Sequence, residues 1–98
     1  MTFDVAEGGS GTLTVTLAGE LDITNIDALA SAVAPALERS PSRLVVEVRE
    51  LRFADSSAIA LWVQWASAVD EIELRYVSPL LRRVVESMGL SDTLNVTP

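Results

Sequence analysis

Three neighbouring residues in the middle of the chain combine a carboxylate with two hydroxyls. Asp55 follows an apolar strand pattern, and Ser56 and Ser57 open a stretch, residues 56–69, that carries no charge. Such residues ahead of an apolar run are the ordinary caps of a helix N-terminus. A hydroxyl there is also a good phosphorylation site, because free N–H groups and the helix dipole stabilise the added charge. Two interpretations therefore stand open, a cap alone and a phosphorylated switch.

A second carboxylate, Asp22, ends the segment GELD at residues 19–22, which follows an earlier strand pattern. Parallel strands deliver the loops that follow them to one edge of the sheet, so we expect Asp22 and Asp55 to share a surface there. We also expect the loop with Ser78 and Pro79 at that edge. A pair of carboxylates with no third acid and no His is weak support for a metal or acid–base site. We therefore predict that the chain is not an enzyme.

The residue types that are missing exclude whole mechanisms. His, Cys and Lys are absent. The chain therefore has no imidazole base, no thiolate, no Schiff-base amine and no P-loop lysine. Its net charge of −7 repels phosphate backbones, so direct binding to nucleic acid is not expected.

Length and composition predict a single domain over residues 1–98. A chain of this size with 49% apolar residues can bury one core. The first residues lack the basic and apolar pattern of a secretory signal, and residues 56–69 are too short to span a bilayer. We therefore expect a cytoplasmic protein without membrane insertion.

Alternating and helical patterns predict the order β-β-α-β-α-β-α-β. Strand patterns cover residues 3–5, 12–17, 44–49, 72–76 and 94–96. Thr24, with Asp27 three residues later, predicts the start of the first helix, and Ser78 with Pro79 predicts the start of the third. The strands alternate and are not continuously apolar, so we predict an α/β fold, a mixed sheet with three helices packed on one face.

The uncharged helix pattern is apolar all round. Its residues Leu61 and Trp65 lie nearly opposite the face that contains Trp62. Because a single-layer domain of this size has nothing to cover a second face, we predict that Leu61 and Trp65 point outward and bind a partner, with Trp65 as the anchor. The alternative is that a loop of the same domain covers Trp65.

Four segments together resemble the STAS domain family of bacterial anti-sigma factor antagonists. They are GELD at residues 19–22, LRFADSS at 51–57, VSP at 77–79 and MGL at 88–90. Each segment is common by itself, but their order and spacing along the predicted elements are those of the family. The resemblance covers nearly all of the chain and implies a STAS fold.

The resemblance also implies a function. In such proteins the first serine after the motif aspartate, here Ser56, is phosphorylated by a partner serine kinase that is also the anti-sigma factor, and Ser57 is the alternative site. The unphosphorylated form binds that partner and frees a sigma factor, and a phosphatase resets the phosphorylated form. Asp22, Asp55 and Ser57 then belong to the partner-binding surface, and the chain itself needs no cofactor.

The chain departs from the family at Ala58, where Gly is usual. A related branch of the family serves as non-enzymatic docking subunits of lipid-transport ATPase complexes and does not depend on this serine. That role is the alternative function for the chain.

Overall fold

Four strands and four helices make up the structure, a computed structural model that describes residues 1–98. The strands are β1 (Thr2–Glu7), β2 (Thr12–Leu21), β3 (Arg43–Ala54) and β4 (Glu71–Arg75). The helices are α1 (Ile26–Glu38), α2 (Ser56–Ser67), α3 (Pro79–Ser87) and α4 (Ser91–Leu94). The predicted order is confirmed, with one difference at the end of the chain. The last strand is reduced to a single bridge between Val96 and Leu74, and α4 precedes it.

The strands form one mixed sheet in the order β1-β2-β3-β4. β1 is antiparallel to β2, whereas β2 with β3 and β3 with β4 are parallel. The β1–β2 hairpin turns through the glycine-rich residues 8–11, where Gly11 has a φ of 81° that L-residues with a side chain rarely adopt. The sheet is thus the predicted one, with the hairpin as its antiparallel pair.

One face of the sheet is covered by the helices, and the other is mostly polar, with Val45 as its one buried residue. Alternate residues of the strands enter a core of 21 buried residues together with residues of all four helices. The strand residues of this core are Leu13, Val15, Leu17, Leu21, Leu44, Val46, Val48, Ile72 and Leu74. On the opposite face Glu73 accepts hydrogen bonds from Arg43 at 2.8 Å and from Arg75 at 2.7 Å. The period-2 pattern therefore places the helices on one face, as predicted.

Leu61 and Trp65 of helix α2 lie on the same buried side as Trp62, so the prediction that they point outward is wrong. Trp65 is 3% exposed and Leu61 is 7% exposed, and both belong to the same core as Trp62. The reason is that α2 contacts α1 and α4 as well as β3 and β4. The short helix α4 was not predicted, and only its last residue, Leu94, falls within the predicted strand 94–96. Packing accounts for the absence of charge at these buried positions, whereas the exposed residues Ala60, Gln64 and Ser67 are uncharged as well.

Helix α1 begins later than predicted. Its first residue is Ile26, and Asn25 precedes it without a side-chain cap. Thr24 does not cap the helix because its N–H and hydroxyl both donate to Asp22 in the preceding turn. The helix then runs through Pro35, which is exposed, to Glu38.

Candidate functional site

Two hydrogen bonds join the loops that follow β2 and β3. The backbone N–H of Asp55 donates to the carbonyl of Leu21 at 3.2 Å. The backbone N–H of Ile23 donates to Oδ2 of Asp55, also at 3.2 Å. Asp22 and Asp55 therefore lie at one edge of the sheet, beside the start of α2. Ser78 is also close to this edge, since Ser78 and Ala54 line the same groove.

The turn that holds Asp22 is fixed by short-range hydrogen bonds. Oδ1 of Asp22 accepts from the Thr24 N–H at 2.9 Å, and Oδ1 of Asn25 accepts from the Asp22 N–H at 3.0 Å. The Asn25 amide donates to the carbonyl of Glu20 at 2.9 Å. Such side-chain bonds to nearby backbone are the usual way for Asp and Asn to order a turn. Oδ2 of Asp22 receives no hydrogen bond within the domain, so it is available to a partner.

Asp55 links the start of α2 to the Asp22 turn. Its Oδ1 accepts from the backbone N–H groups of Ser57 at 2.9 Å and Ala58 at 3.3 Å, and from the Ser57 hydroxyl. Its Oδ2 holds Ile23. These donors, the Ser57 hydroxyl first among them, keep the pKa of the Asp55 carboxyl below its ordinary value. Asp55 is thus the N-cap that the sequence predicts, and it also ties the two loops together.

The two serines differ in what their hydroxyls do. Ser57 is partly buried and its hydroxyl donates to Asp55. Ser56 is exposed at the first position of α2, and its hydroxyl makes no hydrogen bond within the domain. Only the Ser56 oxygen is free to react without breaking an existing bond. The geometry therefore favours Ser56 over Ser57 as the modified residue, and the modification itself stays a prediction.

The exposed apolar residues near this edge are ones that sequence reasoning missed. Leu61 and Trp65 lie in the core, whereas Ile23 is 71% exposed beside Asp55. Phe53 is 52% exposed and Leu80 is 74% exposed, and they line one groove. The sequence contained one sign that Ile23 is exposed: it is an apolar residue between Asp22 and Thr24, and it belongs to no predicted buried stripe.

The surface holds no group of three or more His, Cys, Asp or Glu residues placed to bind a metal ion. None of the four helices combines the length and the apolar character needed to cross a membrane. The site therefore consists of two carboxylates, one free hydroxyl and an exposed Ile23 at a helix N-terminus.

Comparison with known families gives a match over almost the whole chain. The family model described as "Mlab, STAS domain" matches residues 6–97. The chain belongs to the STAS domain family. A search of curated protein sequences gives no significant match.

Solved structures share the STAS fold at low sequence identity. An anti-sigma factor antagonist from Mycobacterium paratuberculosis superposes with a TM-score of 0.88 at 23% identity, covering 99% of this chain and 85% of that one. The unphosphorylated anti-sigma factor antagonist SpoIIAA gives 0.83 at 20% identity, covering 99% and 89%. Phosphorylated SpoIIAA, described as a Bacillus cell fate determinant, gives 0.74 at 21% identity, covering 99% and 92%. These likenesses confirm the predicted fold.

Replacing Asp55 by Asn should destabilise this STAS domain at neutral pH, and the loss should shrink in acid. Asparagine has one acceptor oxygen, so it cannot both cap α2 and hold the Ile23 N–H. Because the folded-state pKa of Asp55 lies below its unfolded value, the stabilisation is complete above the ordinary Asp pKa of about 3.9. It is lost as the pH falls through the lower folded pKa.

Urea unfolding of wild type and Asp55→Asn, followed between about pH 7 and about pH 2, checks this expectation. Asp70→Asn is the matched control, because Asp70 is exposed and its side chain makes no hydrogen bond. A stability difference for Asp55→Asn that stays constant over the whole range would contradict a role for the carboxylate charge.

Proposed function

We propose that this STAS domain is an anti-sigma factor antagonist, a regulatory binding protein and not an enzyme, with Ser56 as its switch. The observation that carries the proposal is the free, exposed Ser56 hydroxyl at the N-terminus of α2, beside Asp22 and Asp55. The structural neighbours support the general role, since two are described as anti-sigma factor antagonists and SpoIIAA was solved in both phosphorylation states.

In the proposed cycle, the unphosphorylated domain binds a partner that is both an anti-sigma factor and a serine kinase, and a sigma factor is released. Asp22, Ile23 and Ser56 contact the partner, while Asp55 and Ser57 hold them in place. The domain works in the cytoplasm, where the kinase finds ATP. A phosphatase restores the free hydroxyl.

Electrostatics explains why phosphorylation ends binding without unfolding the domain. A phosphate adds about −1.5 to −2 charges to a surface that already contains Asp22 and Asp55. In the free domain, solvent and the exposed N–H groups at the start of α2 stabilise that charge. In the complex, a partner surface shaped to meet a neutral hydroxyl leaves the phosphate without enough counter-charge, and burying an unpaired charge is costly.

Labelling with ATP tests the proposal directly. The domain is incubated with ATP and the candidate serine kinase encoded nearby, and the phosphopeptides are mapped by mass spectrometry. We expect one phosphate, on Ser56, and none on the Ser56→Ala variant. Ser67→Ala is the control, because Ser67 is an exposed serine at the other end of the same helix.

Two results would count against the proposal in different ways. Labelling of Ser57 alone would show that the residue assignment is wrong while a switch remains. If no candidate kinase labels the chain, the docking subunit of a lipid-transport ATPase complex becomes the better function.

A further inference from the structure

Strand β3 has a free edge next to the Ser56 site. It pairs with β4 only over Arg43–Glu47, opposite Glu71–Arg75, although it continues to Ala54. Glu50, Leu51, Phe53 and Ala54 pair with β2 on one side, and no backbone group of a loop forms a hydrogen bond with residues 49–54 on the other side. An unpaired strand edge presents N–H and C=O groups that can hydrogen-bond to another extended chain.

The edge is open because β4 turns out of the sheet at Tyr76. This residue has a φ of 63°, and the guanidinium of Arg49 lies 4.0 Å from the centre of its ring. The next residue, Val77, donates its N–H to the carbonyl of Thr97 at 3.1 Å, so the chain after β4 pairs with the C-terminal segment. β4 therefore cannot extend along residues 49–54 of β3.

An apolar groove lies along this edge, between the end of β3 and helix α3. Its volume is about 190 Å³. Phe53 lines it from the strand, and Leu80 and Val84 line it from the helix. All three side chains are exposed, and Val85 is the only buried residue of α3. Exposed apolar side chains grouped in one place mark an interaction site more often than scattered ones do.

We propose that this groove, which we call the β3–α3 groove, binds an extended segment of a partner protein as an added strand on β3. The segment's backbone pairs with residues 51–54, and every second side chain is apolar and packs against Phe53, Leu80 and Val84. Strand addition combines main-chain hydrogen bonds with pockets for alternate side chains in this manner.

Charge sets the chemistry of the segment. Arg52 lines the groove and Arg83 lies on α3, and neither has a carboxylate within the 4.0 Å that defines the other ion pairs of the domain. Unpaired arginines are notable in a chain with a net charge of −7. Acidic residues flanking the apolar positions of the segment would pair with these guanidinium groups. The expected ligand is therefore an acidic, alternately apolar strand.

Two other occupants fit less well. A helix of about 10 Å diameter satisfies its own backbone and would leave the strand edge unpaired. A second copy, pairing edge to edge about a two-fold axis, would bring Arg52 close to its own counterpart and join two chains that each have a net charge of −7.

Selection of linear peptides tests the proposal without any kinase, so its outcome is independent of the phosphorylation proposed for Ser56. Displayed peptides of about six variable residues, the usual strand length, are selected on the wild-type domain and counter-selected on Leu80→Glu. We expect the recovered sequences to alternate apolar and polar residues and to contain Asp or Glu. The best synthetic peptide should bind Leu80→Glu and Arg52→Glu at least about tenfold more weakly.

Two controls distinguish strand addition from nonspecific hydrophobic binding of the peptide. Phe3→Glu changes an exposed apolar residue on the opposite edge strand and should leave peptide affinity unchanged. N-methylation of the peptide backbone at every second position should abolish binding in one register and be tolerated in the other, because only alternate N–H groups face β3.

Three results would overturn the proposal. One is that no recovered peptide distinguishes wild type from a folded Leu80→Glu variant. Another is that the peptides show helical spacing of apolar residues and tolerate N-methylation in both registers. The third is self-association of the domain that Leu80→Glu abolishes, which would assign the groove to a second copy.

Discussion

The Trp65→Asp variant is expected to be unfolded at room temperature. Trp65 is nearly inaccessible to solvent, in the core between α2 and its neighbours. Loss of a buried Trp side chain costs about 3–5 kcal/mol, and an unpaired carboxylate in its place adds a further penalty. A natural domain is stable by only about 5–15 kcal/mol in total. Far-UV circular dichroism and thermal melting are the measurements.

Two variants provide the comparison for Trp65→Asp. Trp62→Asp, at a fully buried position of the same helix, should be equally unfolded. Leu80→Asp introduces the same charge at an exposed position of α3, and its stability should stay within about 0.5 kcal/mol of wild type. A cooperative melt of Trp65→Asp close to that of wild type would contradict the burial of Trp65 in the core.

The second large effect is expected on binding, with the fold unchanged. Ser56→Asp should weaken binding to the anti-sigma partner by about 2 kcal/mol or more, because it adds a charge at the centre of the proposed contact surface. Ser56→Ala should keep binding and remain insensitive to the kinase. Since Ser56 is exposed and makes no hydrogen bond, both variants should melt close to wild type. Isothermal titration with the purified partner gives the affinities.

Ser57→Ala is the matched control for Ser56. Its hydroxyl donates to Asp55, so removal should lower stability by about 1 kcal/mol with partner affinity retained. If Ser56→Asp bound the partner as tightly as wild type, Ser56 would not be the switch. If Ser57→Ala instead lost binding while remaining folded, the contact surface would have to include Ser57 directly.

Local patterns were sufficient to predict the elements and the position of the site. The alternation of apolar residues in β2 and β3 depends on the pleat of a strand, which is the same in every sheet. Asp55 and Ser78 were predicted as helix caps because unpaired N–H groups attract such side chains wherever a helix begins, and both accept those bonds. The meeting of Asp22 and Asp55 followed from the rule that parallel strands send their next loops to one edge.

The surroundings of α2 could not be predicted in that way. At about 100° per residue, Trp65 lies only about 60° and Leu61 about 100° from Trp62 around the helix, so one broad buried face holds all three. The width of that face depends on which elements pack against α2, namely α1 and α4 as well as the sheet, and α4 is a four-residue helix too short to give a periodic signal. The sequence pattern therefore predicted a docking face where the structure has core.

By itself, the sequence determined the α/β order, the buried stripe of each strand, and the carboxylates and hydroxyls that mark the site. Tertiary structure alone decided which of two adjacent serines is free, because the Asp55 carboxylate accepts the Ser57 hydroxyl and leaves that of Ser56 unbound. It also decided where apolar surface remains, through the left-handed Tyr76 that ends β4 before β3. The first outcome depends on the orientation of the Asp55 side chain, whose other oxygen accepts the distant Ile23 N–H, and the second on one backbone angle, and neither leaves a periodic signal in the order of residue types.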